Sequence, residues 1–214
     1  IIHCHDWHTS WIPLLLKTKD QRPKTLLTIH NMGKQYQGRT DKKIIEKLGI
    51  TLDKISNVSN NSDTVNILLQ GIVNSDLINT VSPTYAREIQ TQEYGEGLND
   101  ILGQYQDKLS GILNGVDYDV WNPQTDKYLT TNYSIDNWEE GKKRNKIRLL
   151  QTVGLPGGEN VPTFGMVTRI AEQKGFDILI PALENLFSRL RAKLVGTNST
   201  QDLRVIILGV GDPD

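Results

Sequence analysis

Short apolar runs alternate with longer amphipathic stretches along this 214-residue chain, and no other feature of the sequence restricts its fold as strongly. A strand covered on both faces reads as a continuous apolar run, and two such strands can lie parallel only if a crossover, usually helical, joins them. The alternation therefore points to an α/β protein with parallel strands. It predicts strands over Ile1–Cys4, Thr25–Ile29, Leu77–Val81, Gly111–Leu113, Thr163–Val167 and Arg204–Leu208. Helices are expected over Thr9–Lys17, Asn66–Asn74, Pro83–Ile89, Trp138–Val153 and Gly175–Lys193. In the last of these, Phe176, Leu179, Ile180, Leu183, Leu186, Phe187 and Leu190 recur at helical spacing, which predicts one apolar stripe packed on a sheet. Gly33–Asp63 and Gly154–Pro162 read as loops. Turn chemistry at Asn114-Gly115 and Asn122-Pro123 suggests a crossover, with a domain boundary near Tyr118.

Composition narrows the function classes. With 24 Lys and Arg against 25 Asp and Glu the net charge is −1, so the basic surplus that a nucleic-acid binder needs is lacking. Hydrophobic residues make up 37%, too many for a disordered chain, while apolar runs such as Val205–Leu208 fall far short of the ~20 residues that span a bilayer. The single cysteine, Cys4, excludes an internal disulfide framework and a multi-cysteine zinc site. Sequons stand at Asn57, Asn60, Asn132 and Asn198, yet no signal peptide precedes them, and they are expected to be chance matches. The sequence opens on Ile1-Ile2-His3-Cys4 as though a strand were already under way, and it is expected to be a fragment of a longer protein.

Polar residues cluster where the strands end. His3-Cys4-His5-Asp6-Trp7-His8 holds three of the four histidines, which raises a metal site. The order is wrong for the metallo-hydrolase pattern H-x-H-x-D-H, and zinc would need a third ligand held close to His3 and His5. The rival reading sets Asp6 and His8 at the carboxyl end of a strand, where open α/β sheets form their ligand crevice. Thr28-Ile29-His30-Asn31 repeats the arrangement. Converging polar groups from two strand ends suit a sugar or phosphate. After the strand Thr163–Val167, Arg169 and Lys174 precede a helix start at Gly175 and offer cationic donors to a diphosphate, although a solvated basic pair would look the same. Gly209-Val210-Gly211 lacks the third glycine of a dinucleotide fingerprint. Ser82 and Pro83 read as the cap and first residue of a helix, and the tryptophans Trp7, Trp11, Trp121 and Trp138 carry no assigned role.

Taken together, His5-Asp6-Trp7-His8, Thr28-Ile29-His30-Asn31, Thr80–Ile89, Lys108–Asp117 and Arg169–Gly175 occur in the order seen in bacterial glycogen synthases and plant starch synthases, which the chain resembles over nearly its whole length. Met32-Gly33-Lys34-Gln35-Tyr36-Gln37-Gly38 departs from that family's shorter Asn-Leu-Ala-Tyr-Gln-Gly run. The resemblance implies an α/β fold of the GT-B type, with two Rossmann-like domains, both incomplete in this chain. Residues 1–118 would form the second half of the acceptor-side domain with the crossover, and 119–214 the first part of the nucleotide-sugar-binding domain. The implied reaction moves glucose from ADP-glucose to the non-reducing 4-hydroxyl of an α-1,4-glucan, with retention.

Carried over by position, the resemblance places Asp6, His30 and Asn114 around the donor glucose, and Arg169 and Lys174 on the leaving diphosphate. His8, Asn31, Gly115 and Gly175 match substrate-binding positions beside them. It implies no metal and no cofactor, ADP-glucose being a co-substrate. The implied partners are ADP-glucose and glycogen or starch, with neither nucleic acid nor membrane, in a bacterial cytoplasm or a plastid. A Lys-x-Gly-Gly-Leu loop and a Glu-bearing loop of the family lie outside the sequence, so the isolated chain is expected to be inactive. Two alternatives stand beside this reading: another GT-B enzyme using UDP-glucose, and a non-catalytic glucan-binding module of the same fold.

Overall fold

The computed structural model describes residues 1–17, 19–47, 49–51, 55, 63–194 and 203–211, with only the backbone for 191–194. The sequons at Asn57, Asn60 and Asn198 lie outside the described residues. The chain forms two compact units, Ile1–Val116 and Asp117–Asp214.

In chain order the first unit runs β1 (Ile2–His5), α1 (Asp6–Thr9), α2 (Trp11–Leu16), β2 (Thr25–Ile29), β3 (Arg39–Asp41), α3 (Lys42–Lys47), β4 (Thr64–Asn66), α4 (Ile67–Asn74), β5 (Leu77–Thr80), α5 (Pro83–Glu88), α6 (Asn99–Gln104) and β6 (Leu109–Gly111). Four of these strands make one parallel sheet in the order β1-β2-β5-β6. All four carboxyl ends therefore meet on one edge, and that edge carries the polar segments. Cys4, Leu27, Ile29 and Ile78 of the sheet are wholly buried with Leu68 and Ile72 of α4 and with Ile89 and Leu102. Each such aliphatic side chain contributes about 1.5–3 kcal/mol by leaving water. Burial also pushes the Cys4 thiol above its ordinary pKa, which makes it an inert packing residue.

At the opposite, amino-terminal edge Asp76 ties two strands together. Both its oxygens accept from the Arg22 guanidinium, at 2.6 and 2.9 Å, and it also accepts from the Thr25 N–H at 2.8 Å and from Lys24 at 3.2 Å. The Arg22 hydrogen bonds hold its carboxyl well below the usual carboxylate range.

Several expectations shift. The helix expected over Thr9–Lys17 is two short helices parted at Ser10, with Pro13 in the first turn of the second, where its missing N–H costs no helical hydrogen bond. The strand expected at Gly111–Leu113 lies at Leu109–Gly111, in register with Ile78–Thr80, and the ladder ends where β5 does. Within the expected loop Gly33–Asp63, β3 pairs antiparallel with β4 and α3 follows directly.

The second unit contains α7 (Trp138–Thr152), β7 (Thr163–Val167), α8 (Phe176–Leu194) and β8 (Arg204–Leu208). β7 and β8 pair in parallel, and a bridge between Ile170 and Gly211 extends the pairing. A Cβ on Gly209 would lie 2.0 Å from the Thr168 carbonyl oxygen, so close packing of two strand ends accounts for that glycine. Of the stripe expected on α8, Phe176, Leu179, Leu183, Phe187 and Leu190 are half-buried, whereas Ile180 and Leu186 remain exposed. Phe164 of β7 and Leu208 of β8 are also exposed, at 61% and 65%.

Candidate active site at the strand ends

β1 ends at His5 with extended backbone, and Asp6 then adopts a φ of +50°, a left-handed conformation that aspartate and asparagine are among the few residues other than glycine to visit. This reversal starts α1 and turns the carboxylate back toward the end of β2. Asp6 Oδ1 accepts from the His30 N–H at 2.7 Å and makes a longer contact with the Asn31 N–H at 3.4 Å. The tight turn is closed by its own side chains. The His5 N–H donates to Thr9 Oγ1 at 2.6 Å, that hydroxyl donates to the His5 carbonyl at 2.9 Å, and Ser10 Oγ donates to the Asp6 carbonyl at 2.7 Å.

Three imidazoles line up along the outer sheet face. The His3 and His5 rings lie 4.2 Å apart, those of His5 and His30 lie 5.3 Å apart, and His5 Nδ1 is 3.0 Å from His30 Nε2. Deeper in, His3 Nε2 bonds Thr28 Oγ1 at 2.6 Å, and that hydroxyl donates to Asn79 Oδ1 at 2.5 Å. Desolvation, and then the neighbouring His3 and His30, push His5 below its ordinary pKa, with Asp6 opposing them. Among the described residues no group of three or more His, Cys, Asp or Glu is placed to hold a metal ion.

The chain after β2 is equally fixed. Asn31 Oδ1 accepts from the Gly33 N–H at 3.0 Å, and the Met32 N–H donates to the Tyr85 hydroxyl at 3.2 Å. Gln37, buried to 1% exposure, donates to the carbonyls of Met32 and Glu96 and accepts from Asn66 Nδ2 at 2.7 Å. Trp7 stacks on His8 with centroids 4.1 Å apart, packs against the hydrophobic core and lies over Gly38. Gly38 has a φ of +61°, and a Cβ there would come within 2.4 Å of the indole, so Trp7 packs the loop. Asn114 and Gly115 follow β6 and are exposed.

Arg169, Lys174 and Gly175 belong to the second unit. They follow β7, Lys174 closing a single turn at Glu172–Lys174 and Gly175 turning left-handed at φ +71° before α8 begins. The Gly175 carbonyl accepts the Leu179 N–H at 2.9 Å, and both cations are exposed. The structure thus brings Asp6, His30 and Asn31 together, leaves His8 in α1 stacked on Trp7, sets Asn114 and Gly115 after β6 in the same unit, and groups Arg169, Lys174 and Gly175 in the other. Sequence reasoning gave no role to Gln37 or Tyr85, whose partners lie far along the chain, and it weighed His5 only as a metal ligand beside His3, where the structure sets it against His30.

A parallel α/β sheet with polar residues gathered at its carboxyl edge, and a second unit whose parallel strands lead cations into a helix, fit the GT-B class of fold. Comparisons with known proteins give the same class. Residues 1–104 match the model for the starch synthase catalytic domain. The chain is 44% identical over 220 residues to a glycogen synthase of Thermosipho melanesiensis and 39% identical over 220 residues to one of Rhodopirellula baltica. Those matches take in 99% and 100% of the chain but 42% and 41% of the relatives' own lengths. The catalytic domain of starch synthase IV from Arabidopsis thaliana, solved with ADP and acarbose, superposes with a TM-score of 0.78 at 28% identity, covering 96% of this chain and 47% of that one. The chain is thus similar to glycogen and starch synthases over nearly its whole length and spans somewhat under half of those relatives.

Proposed function

We propose that the protein containing this chain transfers glucose from ADP-glucose to the non-reducing 4-hydroxyl of an α-1,4-glucan, retaining the anomeric configuration. One observation carries the reading: the strand-end residues Asp6, His30 and Asn31, already bonded to one another, lie in a chain that is 44% identical to a glycogen synthase across 99% of its length. Breaking the bond between glucose and diphosphate builds negative charge on the phosphates and positive charge on the sugar ring. Arg169 and Lys174 answer the first, and the polar groups at Asp6, His30 and Asn114 face the second, so no metal is invoked. His8, Asn31, Gly115 and Gly175 bind substrate beside them. The ADP and acarbose held by the plant starch synthase support a nucleotide diphosphate and a glucan as ligands.

The test is transfer of labelled glucose by the complete protein to a glucan primer, with ADP-glucose and UDP-glucose in competition. Label released by an enzyme that cuts α-1,4 linkages supports the assignment. A strong preference for UDP-glucose would move the protein to another GT-B activity, and binding of glucan without turnover or ADP affinity would leave only a binding module.

A further inference from the structure

His30 is gripped twice by consecutive residues, His5 at the end of β1 and Asp6 at the start of α1. Asp6 accepts its backbone N–H at 2.7 Å, and His5 Nδ1 meets its Nε2 at 3.0 Å. An exposed imidazole held by its backbone alone would still rotate about its side-chain torsions and exchange between two tautomers. The second grip removes that freedom. Whichever ring donates, Nε2 is consumed, and Nδ1 is left as the ring atom turned to a ligand, with its donor or acceptor character set by the partner. His5 is itself held, by the tilted contact of its ring with that of His3 and through its backbone by Thr9.

We propose that His5 is a positioning residue for His30, holding that imidazole in one tautomer and one ring plane at the sheet edge. The inference rests on the reading that His30 faces the donor sugar. A sugar hydroxyl both donates and accepts, so it binds best to a ring whose free nitrogen is already defined, because the ordering cost has been met before the ligand arrives. The charged groups facing His5 are His3 on its own strand, Asp6 on α1 and His30 after β2.

The experiment compares the full chain with His5→Phe and His5→Asn. Phenylalanine keeps the ring stacking and removes the hydrogen bond, while asparagine places an amide atom close to where Nδ1 stood. With 15N-labelled histidine, long-range ring couplings report the tautomer of each of the four imidazoles without any turnover. His30 is expected in a single tautomer in the parent and in His5→Asn. In His5→Phe it should become a mixture of the two tautomers. In the complete enzyme His5→Phe should lower kcat/KM for the sugar donor on the order of tenfold, as a misplaced catalytic group does, with His5→Asn recovering most of it. A His30 tautomer unchanged in His5→Phe would overturn the proposal, as would full activity in a His5→Phe enzyme that has lost the single tautomer. If the complete protein transferred no glucose at all, the proposed function would fail while the spectra still decided what His5 does.

Discussion

The two units prepare their polar groups in opposite ways. In the first, Asp6, His30 and Asn31 are tied to one another and to a turn whose backbone groups are satisfied by Thr9 and Ser10. In the second, Arg169 and Lys174 stand exposed on a short connection beside a strand pair that leaves Phe164 and Leu208 open to solvent. A site that is rigid before binding recognises shape and hydrogen-bond direction, and its geometry fails when its supports fail. Exposed cations act through charge, so they can be removed with little structural consequence and a large chemical one. Under the proposed reaction this division matches the needs of each side, since the sugar demands orientation and the diphosphate demands charge.

The comparison breaks most visibly at the cations. Arg169→Ala or Lys174→Ala in the complete protein should lose on the order of 2–4 kcal/mol of transition-state stabilisation. Thermal unfolding should stay within a degree or two of the parent, because both side chains are exposed. Turnover equal to the parent in both variants, measured with ADP-glucose, would remove the diphosphate role.

The next effect in size falls on stability. A Cβ on Gly111 would sit 2.3 Å from the Ser82 carbonyl oxygen, a backbone atom that cannot swing aside. Gly111→Ala should destabilise the first unit by about 2–3 kcal/mol, in the upper range for overpacking. Denaturant midpoints read this directly, and an unchanged midpoint would mean that β6 and α5 are not packed as described.

Asp76 gives a smaller effect with a pH signature. Asp76→Asn keeps an acceptor but loses the charge that meets Arg22, and should cost about 1.5 kcal/mol at neutral pH, as for hydrogen bonds to charged groups. Its folded pKa lies below the ordinary 3.8, so the carboxylate contributes stability that is present above 3.8 and lost as the pH falls beneath it. His5, also depressed, contributes stability that is complete above its ordinary 6.5 and declines as the pH drops below that value. A parent whose acid unfolding coincides with that of Asp76→Asn would show that the Arg22 pair does not act.

Much of this was legible in the residues. Thr25–Ile29, Thr163–Val167 and Arg204–Leu208 are strands with those same ends, because each is a short run dominated by β-branched or other apolar residues bounded by turn-forming or polar chain. The placement of Asp6 and His30 at strand ends could be read the same way. β3, β4 and α6 could not, since three-residue strands and a six-residue helix are too short to leave a period. The grip of His5 on His30 was hidden for another reason. It depends on β1 lying beside β2 with His5 opposite Thr28, and register between distant strands is set by packing of the whole sheet. Gln37 escaped similarly: its partners Glu96 and Asn66 lie 59 and 29 residues away.

The smallest prediction tests a feature that local chemistry alone explains. Ser82 caps α5, its hydroxyl accepting from the N–H groups of Thr84 at 3.1 Å and Tyr85 at 3.3 Å, with Pro83 at the first helical position, where its missing N–H is no loss. Ser82→Ala should cost about 1 kcal/mol, and Ser82→Asp, which restores an acceptor and adds a charge favourable to the helix dipole, should recover it. The consequence reaches the site because α5 carries Tyr85, whose hydroxyl accepts the Met32 N–H in the segment after His30. Fraying of α5 in Ser82→Ala should therefore speed amide exchange at Met32 as well as at Thr84 and Tyr85. Faster exchange confined to α5 would show that the loop after β2 is held by Gln37 and Asp6 without the help of Tyr85.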